Sequence, residues 1–517
     1  MKTFFPAFVL LSVLLTNASA DVRPNILFAI SDDQSWKHCG AYADPAIQTP
    51  AFDRIAREGV LFTRAFCASP SCAPSRAALL TGRHIWELEE GGILFGILKA
   101  KFRPFTLDLQ DAGYQLGATG KTWGPGVTQG FSLSSKNAYD ANSTQSIFGK
   151  AFSDQKLNTT IRGINSLDYA SNFEQFLSER DPNKPFFFWY GSTEPHQNYE
   201  VGRWKKEGKK LTDAILPGFI PDHKTTRGEF LDYALEIEHF DQHLLRMLIS
   251  LEKRGLLENT IVIVTSDHGN PMPRSKCNLY DWGTRVPLAI RFPAKIKRGR
   301  KIDDFVSLVD LGSTILNATG QSTPTAMSGK SLWPMLLSGK SGKIEDRDFA
   351  VTAFERHIIC RQDGVGYPMR SIRTEQFAYI RNYQPSRWPA GDPDFMSSHQ
   401  GFYGDCDRGE SKRYILENSQ TYPGNAYYRL CFGRRPGEEL YDMQQDPHQL
   451  TNLAADPAYK TIKNGLITQM VKFLKQTHDP RQVGKTPWDD YPFSDQRIFK
   501  NPNWKTEGFP MKLPRKN

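Results

Sequence analysis

Short apolar runs closed by polar residues recur along the first part of the chain. Residues 24–31 end at Asp32-Asp33, and similar runs occupy 114–119, 185–191, 260–265 and 286–292. Each fits a strand buried on both faces. Between them lie helical patterns, at 49–58 and over the long stretch 230–254. Strands alternating with helices predict an α/β fold, a mostly parallel sheet flanked by helices. Ligands of such sheets bind beyond the carboxyl ends of the strands. Polar residues follow several runs there: Asp32-Asp33, Gly120-Lys121, Glu194-Pro195-His196 and Asp267-His268.

The texture changes near Ser371. Residues 371–382 alternate like one antiparallel strand, Pro- and Gly-rich connections follow, and 459–476 reads as a helix. A larger domain over 21–370 and a smaller C-terminal α+β domain with a Pro-punctuated tail over 371–517 are therefore expected, as the length of 517 residues allows. No internal repeat is present. Ahead of both, Lys2, an apolar stretch over 4–15 and Ala18-Ser19-Ala20 have the order of a signal peptide. An exported protein beginning near Asp21 is expected, periplasmic, secreted or lysosomal according to the host. No later stretch is long enough to span a bilayer.

Composition narrows the partners. With 39% hydrophobic and 23% charged residues the chain is an ordinary globular protein, but its net charge of +9 favours an acidic partner. A nucleic acid, a polyanionic polysaccharide and a merely solvated basic surface all fit that charge. No nucleic-acid motif is present, and an exported protein meets polysaccharides more often. The seven cysteines (39, 67, 72, 277, 360, 406 and 431) show no zinc spacing. An oxidised compartment could pair six of them, with Cys406–Cys431 the first choice. Asn142, Asn158 and Asn317 stand in glycosylation sequons.

The densest stretch runs from Ser71 to Arg83. Pro74 suits the first turn of a helix, Ser75 to Leu80 would continue it, and Gly82 would stop it. Cys72 then falls at the helix N-terminus, where an anion is held and a thiol acidified. Arg76 reaches back to the same spot with a fork that suits a tetrahedral oxyanion. Asp32, Asp33, Asp267 and His268 offer donors suited to Ca²⁺ or Mg²⁺. Taken singly, each has a plainer reading: a structural cysteine, a solvated turn, a surface charge.

Together they carry a resemblance. Cys-x-Pro-Ser-Arg-x-x-Leu-Leu-Thr-Gly-Arg, residues 72–83, resembles the signature of the type I sulfatases. The resemblance implies an alkaline-phosphatase-like fold and oxidation of Cys72 to formylglycine by a formylglycine-generating enzyme. It implies one divalent ion, usually calcium, held by Asp32, Asp33, Asp267 and His268 with the modified Cys72. It further implies that Arg76, Lys121 and Lys276 bind sulfate and that His196 protonates the leaving group, with Arg274 a competitor for the place of Lys276. The hydrated aldehyde would attack sulfur, and its second hydroxyl would expel sulfate. Two positions depart from the family pattern: His268 where many relatives have Asn, and Trp123 where Gly-Lys-x-His expects His. Trp123 cannot accept a proton.

Further pieces resemble the heparan N-sulfatase (sulfamidase) branch: residues 278–280, 367–371, 439–442, 446–447, 452–454 and 477–480. A sulfated sugar is the implied substrate, either N-sulfoglucosamine or an O-sulfated polysaccharide. Glu355-Arg356-His357 and the acids between Glu87 and Glu90 are candidates for sugar contact. Two rivals stay open. A phosphoesterase of the same superfold generally places Ser or Thr at the nucleophile, and a non-catalytic polyanion-binding relative draws support only from Trp123.

Overall fold

The computed structural model describes residues 23–130, 146–397 and 400–494. The leader at 1–20, Asn142 and the end of the tail lie outside the described residues. The central sheet has eight strands: β1 (Asn25–Ser31), β2 (Val60–Phe62), β3 (Gln115–Gly120), β4 (Lys150–Ala151), β5 (Phe186–Gly191), β6 (Thr260–Ser266), β7 (Leu288–Arg291) and β8 (Arg300–Ile302). Their spatial order is β8-β2-β7-β6-β1-β5-β3-β4. All paired neighbours are parallel except at β7, which runs against both β6 and β2.

Alternation along β1 builds a core on each side. Ile26, Phe28 and Ile30 face a cluster that includes Ala77–Leu80 of α2 (Cys72–Thr81) and Leu311 and Ile315 of α5 (Asp310–Ala318). Leu27 and Ala29 face the opposite cluster, with Phe52 and Ile55 of α1 (Pro50–Glu58), Phe173 and Phe176 of α3 (Tyr169–Glu179), and Leu244 and Met247 of α4 (Lys224–Lys253). The mostly parallel sheet with helices on both faces is the expected fold. Among the described residues no helix is long and apolar enough to cross a membrane.

A second sheet is antiparallel: β9 (Phe349–Phe354), β10 (Met369–Thr374), β11 (Phe377–Asn382) and β12 (Glu438–Asp442), in that order. Helix α6 (Glu410–Glu417) packs on α4, whereas α7 (Lys460–Gln476) packs against this second sheet and puts Leu466 and Met470 into the main core. The boundary drawn at 370/371 falls inside β10, and β9 precedes it. Residues 371–382 are two strands, not one. The Thr374 hydroxyl donates to Phe377 O and accepts from Phe377 N–H, closing a tight turn that does not interrupt the alternation. The run at 286–292 is also divided: Arg285–Val286 pairs with Ala65–Phe66, and Pro287, which has no N–H to donate, separates it from β7. The Cys406–Cys431 bridge is not formed. All seven cysteines are buried free thiols; Cys406 and Cys431 share an apolar cluster, and each donates to a carbonyl, of Asp407 and Phe219 respectively.

Candidate active site

Register sets the site. Ser31 of β1 lies opposite Ser266 of β6, so Asp32-Asp33 and Asp267-His268 leave the sheet side by side. The link is backbone as well: Asp267 N–H donates to Ser31 O, and Asp33 N–H to Asp267 Oδ1 at 3.1 Å. Asp33 has a φ of 71°, a left-handed conformation uncommon for a side-chain-bearing residue. At the end of β5, Gly191 has no room for a side chain: a Cβ would lie 1.7 Å from Lys121 O. That close approach brings Lys121 against the ends of β1 and β5.

Helix α2 supplies the rest. Ser71 is its extended N-cap, Cys72 its first residue, and Gly82, with a φ of 61°, its terminator. The whole helix is buried, so Cys72 and Arg76 both face inward. Cys72 Sγ lies 3.3 Å from His268 Nε2, 3.5 Å from Asp32 Oδ1 and 4.0 Å from Asp33 Oδ1. Arg76 Nε donates to Asp267 Oδ2 at 2.9 Å, and one Nη donates to Lys121 O at 3.0 Å. Lys121 Nζ donates to Asp32 Oδ2 at 2.5 Å. Lys276 Nζ stands 2.8 Å from Asp33 Oδ2, 2.9 Å from Asp407 Oδ2 and 3.2 Å from His196 Nε2. His196 Nδ1 donates to Gln197 O at 2.6 Å, so Nε2 is the atom facing the centre.

The electrostatics follow from burial and pairing. Burial opposes the charge on Lys121 and Lys276, but Asp32 beside the first and Asp33 and Asp407 beside the second outweigh it and raise both pKa values. Burial likewise works against ionised Asp32 and Asp407, yet neighbouring cations, Lys121 and Lys276 foremost, hold both well below the usual carboxylate range. The expected acidification of Cys72 is reversed: burial, then Asp32, push its thiol well above the ordinary value, more than Lys121 and Lys276 lower it. An unmodified Cys72 is therefore a protonated thiol and a weak nucleophile.

The donor set fits a hard divalent cation. Asp32, Asp33, Cys72 and His268 present ligand atoms all within 4.8 Å of one another. His268 Nδ1 donates to Gly269 O at 3.0 Å, which leaves its Nε2 lone pair 3.0 Å from Asp33 Oδ1. Two acceptors held that close suit a shared cation. Around the centre four carboxylates (Asp32, Asp33, Asp267, Asp407) face three fixed cations (Arg76, Lys121, Lys276), so one dication would turn a net negative pocket positive. Asp267 lies outside the tight donor group. Its oxygens accept from Arg76 and from the N–H groups of Asp33 and His268, and its Oδ1 is 3.9 Å from His268 Nε2.

Other candidates are sorted by their partners. Arg274 donates to Leu430 O and Gln449 O and lies over the Tyr280 ring, so Lys276 alone of the two cations reaches the centre. Trp123 is buried in the main core, its indole N–H without a hydrogen-bond partner among the described residues. Glu355 is enclosed by Arg370 and Arg481, and Arg356 donates to Tyr491 O, so both are buried among partners within the fold. Glu87 accepts from His84 N–H and Ser328, while Glu89 and Glu90 pair with Lys99. His357 does reach the site region, its Nδ1 2.8 Å from the Ser71 hydroxyl. Asp407 was missed by sequence reasoning. It lies between Cys406 and Arg408 in an irregular segment, where no periodicity or motif marks it.

Comparison with known proteins decides the family. Residues 24–321 match the family described as Sulfatase. The chain belongs to the sulfatase family. Residues 274–392 also match the region described as N-sulphoglucosamine sulphohydrolase, C-terminal. The human N-sulphoglucosamine sulphohydrolase is 29% identical, over 91% of this chain and 93% of its own. An ulvan-active sulfatase of Formosa agariphila is 27% identical, over 90% of this chain and 83% of its own. Among solved structures, one described in complex with its substrate D-glucosamine-2-N,6-O-disulfate superposes with a TM-score of 0.63 at 20% identity, covering 90% of this chain and all of that one (100%). This sulfatase is thus an enzyme of alkaline-phosphatase-like fold.

Proposed function

We propose that this sulfatase removes the N-linked sulfate of a terminal glucosamine, after Cys72 has been converted to formylglycine by a formylglycine-generating enzyme. One observation carries the reading: Cys72, a hard-donor cluster, three cations and His196 converge at the ends of β1, β3, β5 and β6. The choice of N-sulfoglucosamine is supported by the resemblance to the human sulphohydrolase, which spans both sheets. An O-sulfated polysaccharide is the second reading, favoured by the similarity to the ulvan-active sulfatase. Residues 1–20 support export.

Formylglycine supplies, as its hydrate, a hydroxyl nucleophile that can be regenerated. Asp32, Asp33 and His268, with Asp267 and residue 72 beside them, would hold a calcium ion, which would supply positive charge to the site. The chain's own groups do the rest. Arg76 and Lys121 line the nucleophile and stabilise negative charge on the sulfuryl group in a water-poor pocket. Asp267 and Asp32 hold those two cations in place. His196, oriented through Nδ1 by Gln197 O, delivers a proton from Nε2 to the departing nitrogen or oxygen. Lys276 lies beside that atom, tethered by Asp33 and Asp407.

Intact-protein mass spectrometry together with sulfate release tests the reading. A mass lowered by conversion of thiol to aldehyde, with release from N-sulfoglucosamine above a panel of O-sulfated sugars, is expected. Release only from the O-sulfated panel selects the second reading. A fully processed sample with an intact thiol and no sulfate release refutes both. Cys72→Ala should abolish turnover, because no other group can form the aldehyde hydrate.

A further inference from the structure

A cavity of about 640 Å³ opens beside the reaction centre. Its wall includes Gln197 and Arg408, the residues that follow His196 and Asp407, so centre and cavity share two chain segments. Its volume falls in the range of small-molecule sites, about 300–1,000 Å³. Within the centre Cys72, Asp32, Asp33, Lys276 and Asp407 are buried, whereas the side chain of His196, the residue before Gln197 of the cavity wall, is 32% exposed.

The charge in the cavity is one-sided. Its acids are already engaged. Glu229 accepts from Gln197 Nε2 and from the N–H groups of Glu410 and Ser411, and Asp232 accepts from Gly202 and Trp204 N–H. Two of its cations are engaged as well: Arg413 with Glu410 and Glu417, and Lys412 with three carbonyls. Arg408 and Arg162 line the wall with no carboxylate partner among the described residues. At the rim Phe402 and Val201 are 43% and 69% exposed, large apolar side chains turned to solvent. Exposed apolar surface next to unpaired cations suits a sugar ring, which has an apolar C–H face and a polar edge.

We propose that this cavity is a subsite for the second sugar of a glycan whose terminal sulfated sugar occupies the centre. Arg408, aided by Arg162, binds an anionic group on that second sugar, a carboxylate or a further sulfate. Phe402 carries the apolar face of the ring. The substrate is therefore a polyanionic oligosaccharide rather than a free monosaccharide. This inference rests on the sulfated-sugar reading above and adds to it where specificity resides.

The test compares kcat/KM for sulfate release from N-sulfated and 6-O-sulfated glucosamine, each alone and each linked 1→4 to glucuronic acid. Two further probes have the uronate carboxyl reduced to an alcohol, one of them carrying a 2-O-sulfate. The acidic disaccharide is expected to exceed its monosaccharide by about tenfold. Carboxyl reduction should remove that gain, and return of the gain with the 2-O-sulfate would identify sulfate as an equivalent anion. Arg408→Ala should collapse the disaccharide-to-monosaccharide ratio toward one, and Arg408→Lys should restore part of it. Phe402→Ala, at an exposed position, serves if Arg408→Ala fails to fold, and should lower the ratio through KM. Equal kcat/KM for monosaccharide and acidic disaccharide overturns the subsite, as does a gain that survives both carboxyl reduction and Arg408→Ala. Absence of sulfate release from every probe overturns the proposed function instead.

Discussion

His196 is the most exposed side chain of the centre, at 32% against 15% for Lys121, and its contribution should depend on the leaving group. With a sugar substrate His196→Ala is expected to lower kcat by about 10²–10⁴-fold, the usual range for general acid catalysis. With an aryl sulfate, whose phenolate departs without a proton, the loss should be far smaller. Equal losses on the two substrates would move the proton to Lys276, 3.2 Å away. Asp32 has a different task. It faces Cys72 and His268 through Oδ1 and holds Lys121 through Oδ2. Asp32→Asn keeps the shape but removes ligand charge. Elemental analysis should show loss of the divalent ion, with activity reduced by more than about 100-fold. Full metal content in that variant would take Asp32 out of the ion's shell. At this scale most of the site was legible in sequence, because motif residues immediately follow apolar runs. Asp407 was not, since only the folded chain places it on Lys276.

Elements carry the next layer. The segment between residues 400 and 413 has almost no regular structure until α6, yet it delivers Asp407 to the centre and Arg408 to the cavity. Two buried charges hold it. Lys412 Nζ donates to the carbonyls of Gln400, Tyr403 and Cys406 at 3.1, 3.0 and 2.7 Å. Glu229 of α4 caps α6 from outside through the N–H groups of Glu410 and Ser411. Lys412→Met keeps the length of the side chain and takes the lysine's hydrogen bonds from the carbonyls of Gln400 and Cys406, while Tyr403 O keeps the Cys406 N–H. It should cost about 1–3 kcal/mol in urea unfolding, with amide exchange rising first across residues 400–408. Unchanged exchange there would mean that Glu229 suffices. A lysine in the first turn of a short helix reads as a surface charge, so nothing local announced this role. The hairpin at 371–382 was likewise hidden, because a two-residue turn leaves the alternation unbroken.

For the whole molecule, pH acts on the core as well as on the centre. His84 lies stacked on Trp86 with Phe473 edge-on, and burial pushes its pKa down from 6.5 to about 3; burial does the same to His243, also to about 3. Both stay neutral in the folded protein where the unfolded chain would take up protons. Their contribution to stability is present above about pH 6.5 and is lost as pH falls from there toward about 3. His84→Gln should flatten the fall in unfolding free energy between about pH 6 and 4, measured by urea titration; an unchanged slope would assign it to other groups. The layers themselves were written in the sequence. Apolar runs of strand length alternating with helices demand a sheet buried on both faces, and the polar residues after each run must emerge at one edge. The nucleophile motif is local too, since its helix start, Pro74 and Gly82 are adjacent in the chain. Only tertiary structure decided the rest. It chose Lys276 over Arg274, buried Trp123 and Glu355 inside, left the cysteines unpaired, and carried Asp407 and Arg408 from a distant segment to the sheet's edge. Those outcomes depend on which distant surfaces pack together, and packing between distant segments leaves no period or spacing in either of them.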